Sequence, residues 1–279
     1  MTTLITGSRG LVGSTLLTLL HGKGHDVRAA SKEPERLSPP EGVPTVRCDL
    51  TDPATFPAAL AGITSVFLYA EPSHIDAFVK QAADAGVRHI VLLSSSAVLS
   101  PDADINPIAR PHREVEQALT ASPIETTLLR PGAFASNALQ WSWSIKATGT
   151  VSLPYPNAHS DPIHEADIAD VALAALTDPA LGGKEYHLTG PESLTFQQQI
   201  DHLARAIDRP VTIEVISEEA WRGEMTKYAP AAVADALLNW WRQQDNSPTE
   251  PTGTVERVTG HPARSFATWA EDHADAFRN

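Results

Sequence analysis

Met1-Thr-Thr-Leu-Ile-Thr-Gly7-Ser-Arg-Gly10-Leu-Val-Gly13-Ser14 opens the chain, and its reading decides the fold. Leu4 and Ile5 lie in a short run with strand preference. Three glycines follow at three-residue spacing, and Leu16, Leu17, Leu19 and Leu20 then repeat as in an amphipathic helix. Strand, glycine turn and helix together make a site for a pyrophosphate. Gly7 suits the sharp turn, Gly10 leaves room for phosphate oxygens, and Gly13 lets the helix sit close to the strand. Leu11, Val12 and Gly13 would offer the free N–H groups of the helix start to the anion, with Arg9 beside them.

The same alternation continues. His25–Ser31, Val43–Cys48, Ile63–Tyr69 and His89–Leu93 read as strands, each followed by a helix-sized connection. Such connections require parallel pairing with right-handed crossovers, hence an α/β doubly wound sheet of the Rossmann kind. Ligands of such a sheet bind at the carboxyl ends of its strands. The end of the second strand selects the cofactor: an acid there holds the ribose of NAD, a cation the 2′-phosphate of NADP. Ser31 and Lys32, with Arg9 nearby, favour NADP(H) over NAD(H), while Glu33 keeps the ribose alternative open.

Composition narrows the function classes. The 279 residues are 42% hydrophobic, enough for one sizeable core with an attached lobe. A formal charge of -13 argues against nucleic acid, whose phosphates need a basic face. One cysteine, Cys48, suits a reducing cytoplasm. No apolar run reaches membrane-spanning length, and no signal peptide is legible. The expected partner is a small-molecule substrate; oligomeric state is not legible.

Thr6-Gly-Ser-Arg-Gly-Leu-Val-Gly-Ser14 resembles the start of the NmrA-like branch of atypical short-chain dehydrogenase/reductases. The resemblance extends through Ser94-Ser95-Ser96-Ala97 and Leu129-Arg-Pro-Gly-Ala-Phe134. It implies that Asp49 and Leu50 touch the adenine, and that Ala70-Glu71-Pro72 passes over the cofactor. Pro131, Gly132 and Ala133 would lie against the nicotinamide. At that strand end Ser94 is expected among the cofactor contacts, and one serine of Ser94, Ser95 and Ser96 is expected to face the ligand. Most members of the wider family add a catalytic Tyr with a Lys four residues on. Aligning Glu116 with the family's helix glutamate puts Ile108 at the Tyr position and His112 at the Lys position. No tyrosine lies between Tyr69 and Tyr155. His112, with Ser95 or Ser96, is therefore the candidate to hold the ribose or to move a proton.

Phe134, Asn137 and Trp141 follow as candidate walls for a substrate, an aromatic one in particular. Asp161, His164, Glu165 and Asp167 have the chemistry of metal ligands. Asp167 reads instead as the cap of a helix over Ile168–Leu176, and the family has a similar turn without metal. We expect residues 1–150 to form the NAD(P)-binding domain and 151–279 mainly a C-terminal substrate lobe, with strand 184–190 returning to the sheet. Gln243–Thr254 has the composition of a mobile loop. The implied activity is NADPH-dependent reduction of a quinone-like or other conjugated small molecule. A catalytically silent NADP(H) sensor and a nucleotide-sugar epimerase are the rival readings.

Overall fold

The structure is a computed structural model and describes residues 2–278. Six strands and their connections build the first half. They are β1 (Thr2–Ile5), β2 (Asp26–Ser31), β3 (Thr45–Arg47), β4 (Ser65–Tyr69), β5 (His89–Leu93) and β6 (Glu125–Pro131). Between them run α1 (Leu11–Gly22), α2 (Phe56–Leu60), α3 (Ile75–Asp84) and α4 (Ala109–Thr120). The second half gives α5 (Ser142–Thr148), β7 (Thr150–Leu153), β8 (His159–Ser160), α6 (Glu165–Thr177) and β9 (Glu185–Leu188). After these come β10 (Leu194–Thr195), α7 (Phe196–Ala206), β11 (Thr212–Val215), α8 (Glu218–Met225) and α9 (Ala231–Gln244). The chain closes with α10 (Thr254–Thr259) and α11 (Phe266–Asp272).

The main sheet has seven strands in the order β3-β2-β1-β4-β5-β6-β9, every neighbouring pair parallel. Both faces are covered, which is why β4 and β5 read as unbroken apolar runs. On one face α1 packs against α6 over Ile5, Phe67, Val91 and Leu129. On the other, Phe56 meets Phe78 edge to face at 5.2 Å above Leu4, Val66 and Leu92. β9 extends the sheet through Leu128↔Glu185 to Pro131↔Leu188.

A third core lies beyond the end of β6. It joins residues 135–158 to α7, α8, α9 and α11 around Trp141, Trp221, Trp241 and Trp269. Two small sheets, β8 with β10 and β7 with β11, stitch it together. The cores do not separate at residue 150. Ala135–Ile145 belongs to the lobe, whereas Ile163–Leu188 and Val255 return to the sheet. A chain that passes between the sheet and the lobe five times leaves no single composition break at a crossing.

Two local readings change. α6 starts earlier, and its cap is His164, whose Nδ1 accepts from the Ala166 N–H at 3.1 Å. Asp167 is instead fully buried and ion-paired to Arg264, which a one-dimensional reading cannot pair across 97 residues. The 243–254 segment is tied down: Thr249 N–H donates to Ser193 Oγ at 2.9 Å and Thr252 N–H to Thr189 Oγ1 at 2.9 Å. Among the described residues no helix is long and apolar enough to cross a membrane.

Candidate active site

The carboxyl ends of β1, β4, β5 and β6 converge, and the sequence candidates are distributed along that edge. Gly7 turns out of β1 with φ +63°, in the left-handed region that a Cβ disfavours. A Cβ on Gly13 would stand 2.5 Å from the Gly7 carbonyl oxygen, a hard clash, so the glycine is what seats α1 on the turn. A Cβ on Gly10 would stand 3.3 Å from the same oxygen, tight but less severe. Gly10 is also the N-cap of α1, with no side chain capping it and no acid in the first turn. The Leu11, Val12 and Gly13 N–H groups are thus left to an external acceptor. This is the fit expected of a dinucleotide's pyrophosphate.

Beyond β2 the charges are paired in a way the sequence did not show. Glu33 bridges Arg9 and Arg36 at 2.9 and 3.0 Å, and the hydrogen bond from Arg36, followed by that from Arg9, holds its carboxyl below the usual range. Arg9 and Arg36 line a cavity of about 250 Å³ beside α1. Ser31 Oγ accepts from the Glu33 N–H, and Lys32 is exposed. Asp49, at the end of β3, accepts from the Thr51 hydroxyl and N–H, which lower its pKa. Leu50 beside it is half-buried. Ala70 and Pro72 flank the exit of β4, and Glu71 between them accepts from Ser73 N–H and Oγ, shaping that turn.

The serine run divides three ways. Ser94 is buried and donates to Glu116 Oε1 at 2.6 Å, so it does not face a ligand; this corrects its placement among the cofactor contacts. Glu116 also receives Arg130 through Nε at 2.9 Å and Nη2 at 2.7 Å. Arg130 reaches on to the exposed Glu185, so the exit of β5, α4, β6 and β9 are joined by one network with a buried centre. Ser95 Oγ accepts from the Ala97 N–H and keeps its own proton free. Ser96 is half-buried with no side-chain hydrogen bond among the described residues.

His112 sits in the first turn of α4 with Nδ1 buried and unpartnered. Burial pushes the imidazole below its ordinary value, against a smaller opposite pull from Glu116. The shift favours the neutral ring, which suits a hydrogen bond to a sugar hydroxyl better than general-acid donation.

At the end of β6, Pro131, Gly132 and Ala133 lead to the lobe. Asp161 approaches so closely that a Cβ on Gly132 would meet its Oδ1 at 2.7 Å. Burial raises the Asp161 carboxyl, partly offset by hydrogen bonds from backbone N–H groups. No sequence pattern signals this contact, because Asp161 lies 29 residues on, beyond α5, β7 and β8. Phe134, Asn137 and Trp141 come together in a cavity of about 400 Å³ that Ala133 also lines. Trp141 meets Phe196 at 5.9 Å and Phe196 meets Trp241 at 5.2 Å, both edge to face. Phe196, Gln199, Trp240 and Trp241 were missed as pocket residues; only their aromatic and amide character on helices α7 and α9 hinted at it. Trp143 points to solvent instead.

Two more observations concern the exits of the strands. Tyr69, the last residue of β4, is exposed with its ring against the Gly7 turn. Cys48 is buried, which pushes its thiol up to about 12 and leaves it inert.

The family model for NAD(P)H-binding proteins matches residues 7–179. A (4-alkanoyl-5-oxo-2,5-dihydrofuran-3-yl)methyl phosphate reductase from Streptomyces griseus is 38% identical over 279 residues, covering 98% of either chain. An NAD(P)H azoreductase from Xenophilus azovorans is 33% identical over 287 aligned positions, again with 98% of each covered. Among solved structures, an NADPH-dependent quinone oxidoreductase from Escherichia coli superposes with a TM-score of 0.79 at 24% identity, covering 98% of this chain and 99% of that one. With the uncapped glycine turn at the head of the parallel sheet, these matches show that the chain belongs to the NAD(P)H-binding family and is an oxidoreductase.

Proposed function

We propose that the protein uses NADPH to reduce a conjugated, quinone-like small molecule held in the aromatic cavity. The observation that carries this reading is the position of that cavity. Ala133, directly after the β6 end and one of the residues that the resemblance puts against the nicotinamide, lines it together with Phe134, Trp141 and Trp241.

The residues that would hold the cofactor follow from the geometry. The α1 N-terminus takes the pyrophosphate. Arg9, Arg36 and Lys32 take the 2′-phosphate, which would draw the two arginines away from Glu33. His112 and the Ser95 hydroxyl are the groups left to bond the ribose or the substrate oxygen. When bound, the reduced nicotinamide would supply a hydride, one proton with two electrons, to the acceptor.

The chain's own contribution is placement and water exclusion. No tyrosine acid stands at the α4 position, and burial favours the neutral form of His112. The suitable acceptor is accordingly one that stabilises negative charge on its own oxygens and takes its last proton from solvent. A quinone does so, and so does a ring double bond flanked by two carbonyls. The names of the two relatives, a dihydrofuranone reductase and an azoreductase, support acceptors of this conjugated kind.

The test is to bind NADPH and NADH by fluorescence, then follow oxidation with quinones, azo dyes, acylated butenolides and simple ketones. Oxidation by conjugated acceptors and none by simple ketones is expected. Tight NADPH binding without turnover of any acceptor would favour a sensor.

A further inference from the structure

The aromatic cavity has walls of definite polarity. Its polar side chains are Ser136, Asn137, Gln140, Ser160 and Gln199, and none of its lining residues carries a charge. The nearest candidate cation in sequence, Arg242 beside Trp241, is committed to Glu218 at 2.6 and 2.7 Å.

Gln199 is fixed in one orientation. It is 4% exposed, and its amide nitrogen lies 2.9 Å from Ser160 Oγ and 3.4 Å from the Leu194 carbonyl oxygen. A carbonyl oxygen only accepts, so the group facing Leu194 must be the NH2. Oε1 is then turned the other way. It receives no hydrogen bond from a described residue, and Gln199 is one of the residues that line the cavity. Ser160 Oγ accepts from Gln199 and has its own proton left to give, again at the cavity wall.

The two groups are therefore complementary to a neutral hydroxyl. Such a hydroxyl donates to Gln199 Oε1 and accepts from the Ser160 O–H. A phosphate only accepts. It would set its negative oxygens against Oε1 and lose water with no cation to replace it, which is strongly unfavourable in an apolar site. A ligand with neither group leaves the two wall atoms unpaired.

We propose that Gln199 and Ser160 are specificity-determining residues, and that the substrate is a conjugated ring carrying an uncharged hydroxyl rather than a phosphate ester. This rests on the assignment of the cavity as the substrate site. It sets the chain apart from its 38%-identical relative, whose name specifies a methyl phosphate.

Three probes on one ring test it: 2-methyl-, 2-hydroxymethyl- and 2-(phosphonooxymethyl)-1,4-naphthoquinone. With the wild-type protein and NADPH, kcat/KM for the hydroxymethyl compound should exceed that of the phosphate by about a hundredfold and that of the methyl compound by about tenfold, the range of a buried hydrogen bond made or lost. Gln199→Leu should reduce the hydroxymethyl-over-methyl ratio to near one. A phosphate used as well as the alcohol overturns the proposal, as does a ratio unchanged in a folded Gln199→Leu. Should that variant not fold, the wild-type series decides alone. If no probe oxidises NADPH, the reductase reading fails separately. Calorimetric affinities of the same three compounds with NADP+ present then decide: alcohol tighter than phosphate keeps the inference, and the reverse order or equality ends it.

Discussion

The cofactor edge and the substrate lobe are built on opposite terms. At the edge, backbone does the work: the Gly7 turn, the bare α1 N-terminus and the strand exits leave N–H groups pointing outward. In the lobe, side chains do it: Trp141, Phe196, Trp241 and Gln199 reach the cavity from three separate stretches. A site made of backbone depends on where side chains are absent and tolerates little change. A site made of side chains can be rewritten one residue at a time while the chain still folds. The comparison predicts that substitutions at the edge act on folding and NADPH affinity together, and that those in the lobe act on the acceptor alone.

Gly13→Val should have the largest effect. Its Cβ would be driven to 2.5 Å from the Gly7 carbonyl oxygen, so either α1 or the turn must move. We expect loss of soluble protein, or a Tm lowered with no measurable NADPH binding. Gly10→Val, at 3.3 Å, should fold and lose affinity by about a hundredfold through phosphate exclusion. Native affinity in a folded Gly10→Val would break the comparison at its first term.

Next in size is the buried clamp. Arg130 and Glu116 side chains are 12% and 9% exposed, and Ser94 completes the set. Glu116→Ala leaves the guanidinium with only the exposed Glu185 and should destabilise by about 3 kcal/mol. Chemical denaturation checks this. A loss below about 1 kcal/mol would mean that Arg130 rotates out to water.

These two cases also show how far the sequence could be read. The strand–glycine–helix pattern carries its own structure within fourteen residues, so the Rossmann half was legible. Phe134, Asn137 and Trp141 were legible as pocket residues because they follow the β6 exit directly. Gln199 and Trp241 were not, since their meeting with Trp141 depends on how α7 and α9 pack. Ser94 was misplaced for the same reason: a strand-end serine looks alike whether it turns to the ligand or to a buried glutamate. The cap assigned to Asp167 falls to His164, and Arg264, almost a hundred residues away, claims the aspartate.

Cofactor choice should give a moderate effect. Lys32 is exposed, whereas Arg9 and Arg36 already share Glu33. Lys32→Glu should weaken NADPH relative to NADH by about tenfold, the size of a reversed, solvent-screened charge near a phosphate. Arg36→Ala should do the same and free Glu33 for a ribose. Equal changes for both cofactors would place the 2′-phosphate elsewhere. Trp141→Ala, by contrast, should raise KM for the acceptor and leave both nucleotide affinities alone.

The smallest effect, and the sharpest test of the border between the two regions, concerns His112. Its folded pKa lies below its ordinary 6.5 because burial disfavours the charged ring. The sign follows: the unfolded chain binds the proton more readily, so this group's contribution is present above pH 6.5 and is lost as pH falls toward the folded value. His112→Leu should therefore hold its stability better than wild type on the acid side, and near pH 8 should differ by no more than about 1 kcal/mol. The rate should carry the same sign. A neutral imidazole that hydrogen-bonds the ribose or substrate loses that ability on protonation, so kcat/KM should fall as pH falls, and His112→Leu should flatten the profile at a reduced plateau. A wild-type rate that instead falls as pH rises through the same region would restore His112 as the proton donor. It would also mean that binding the nucleotide lifts the imidazole pKa back into the working range, so that the ligand, and not the fold alone, sets the chemistry at this edge.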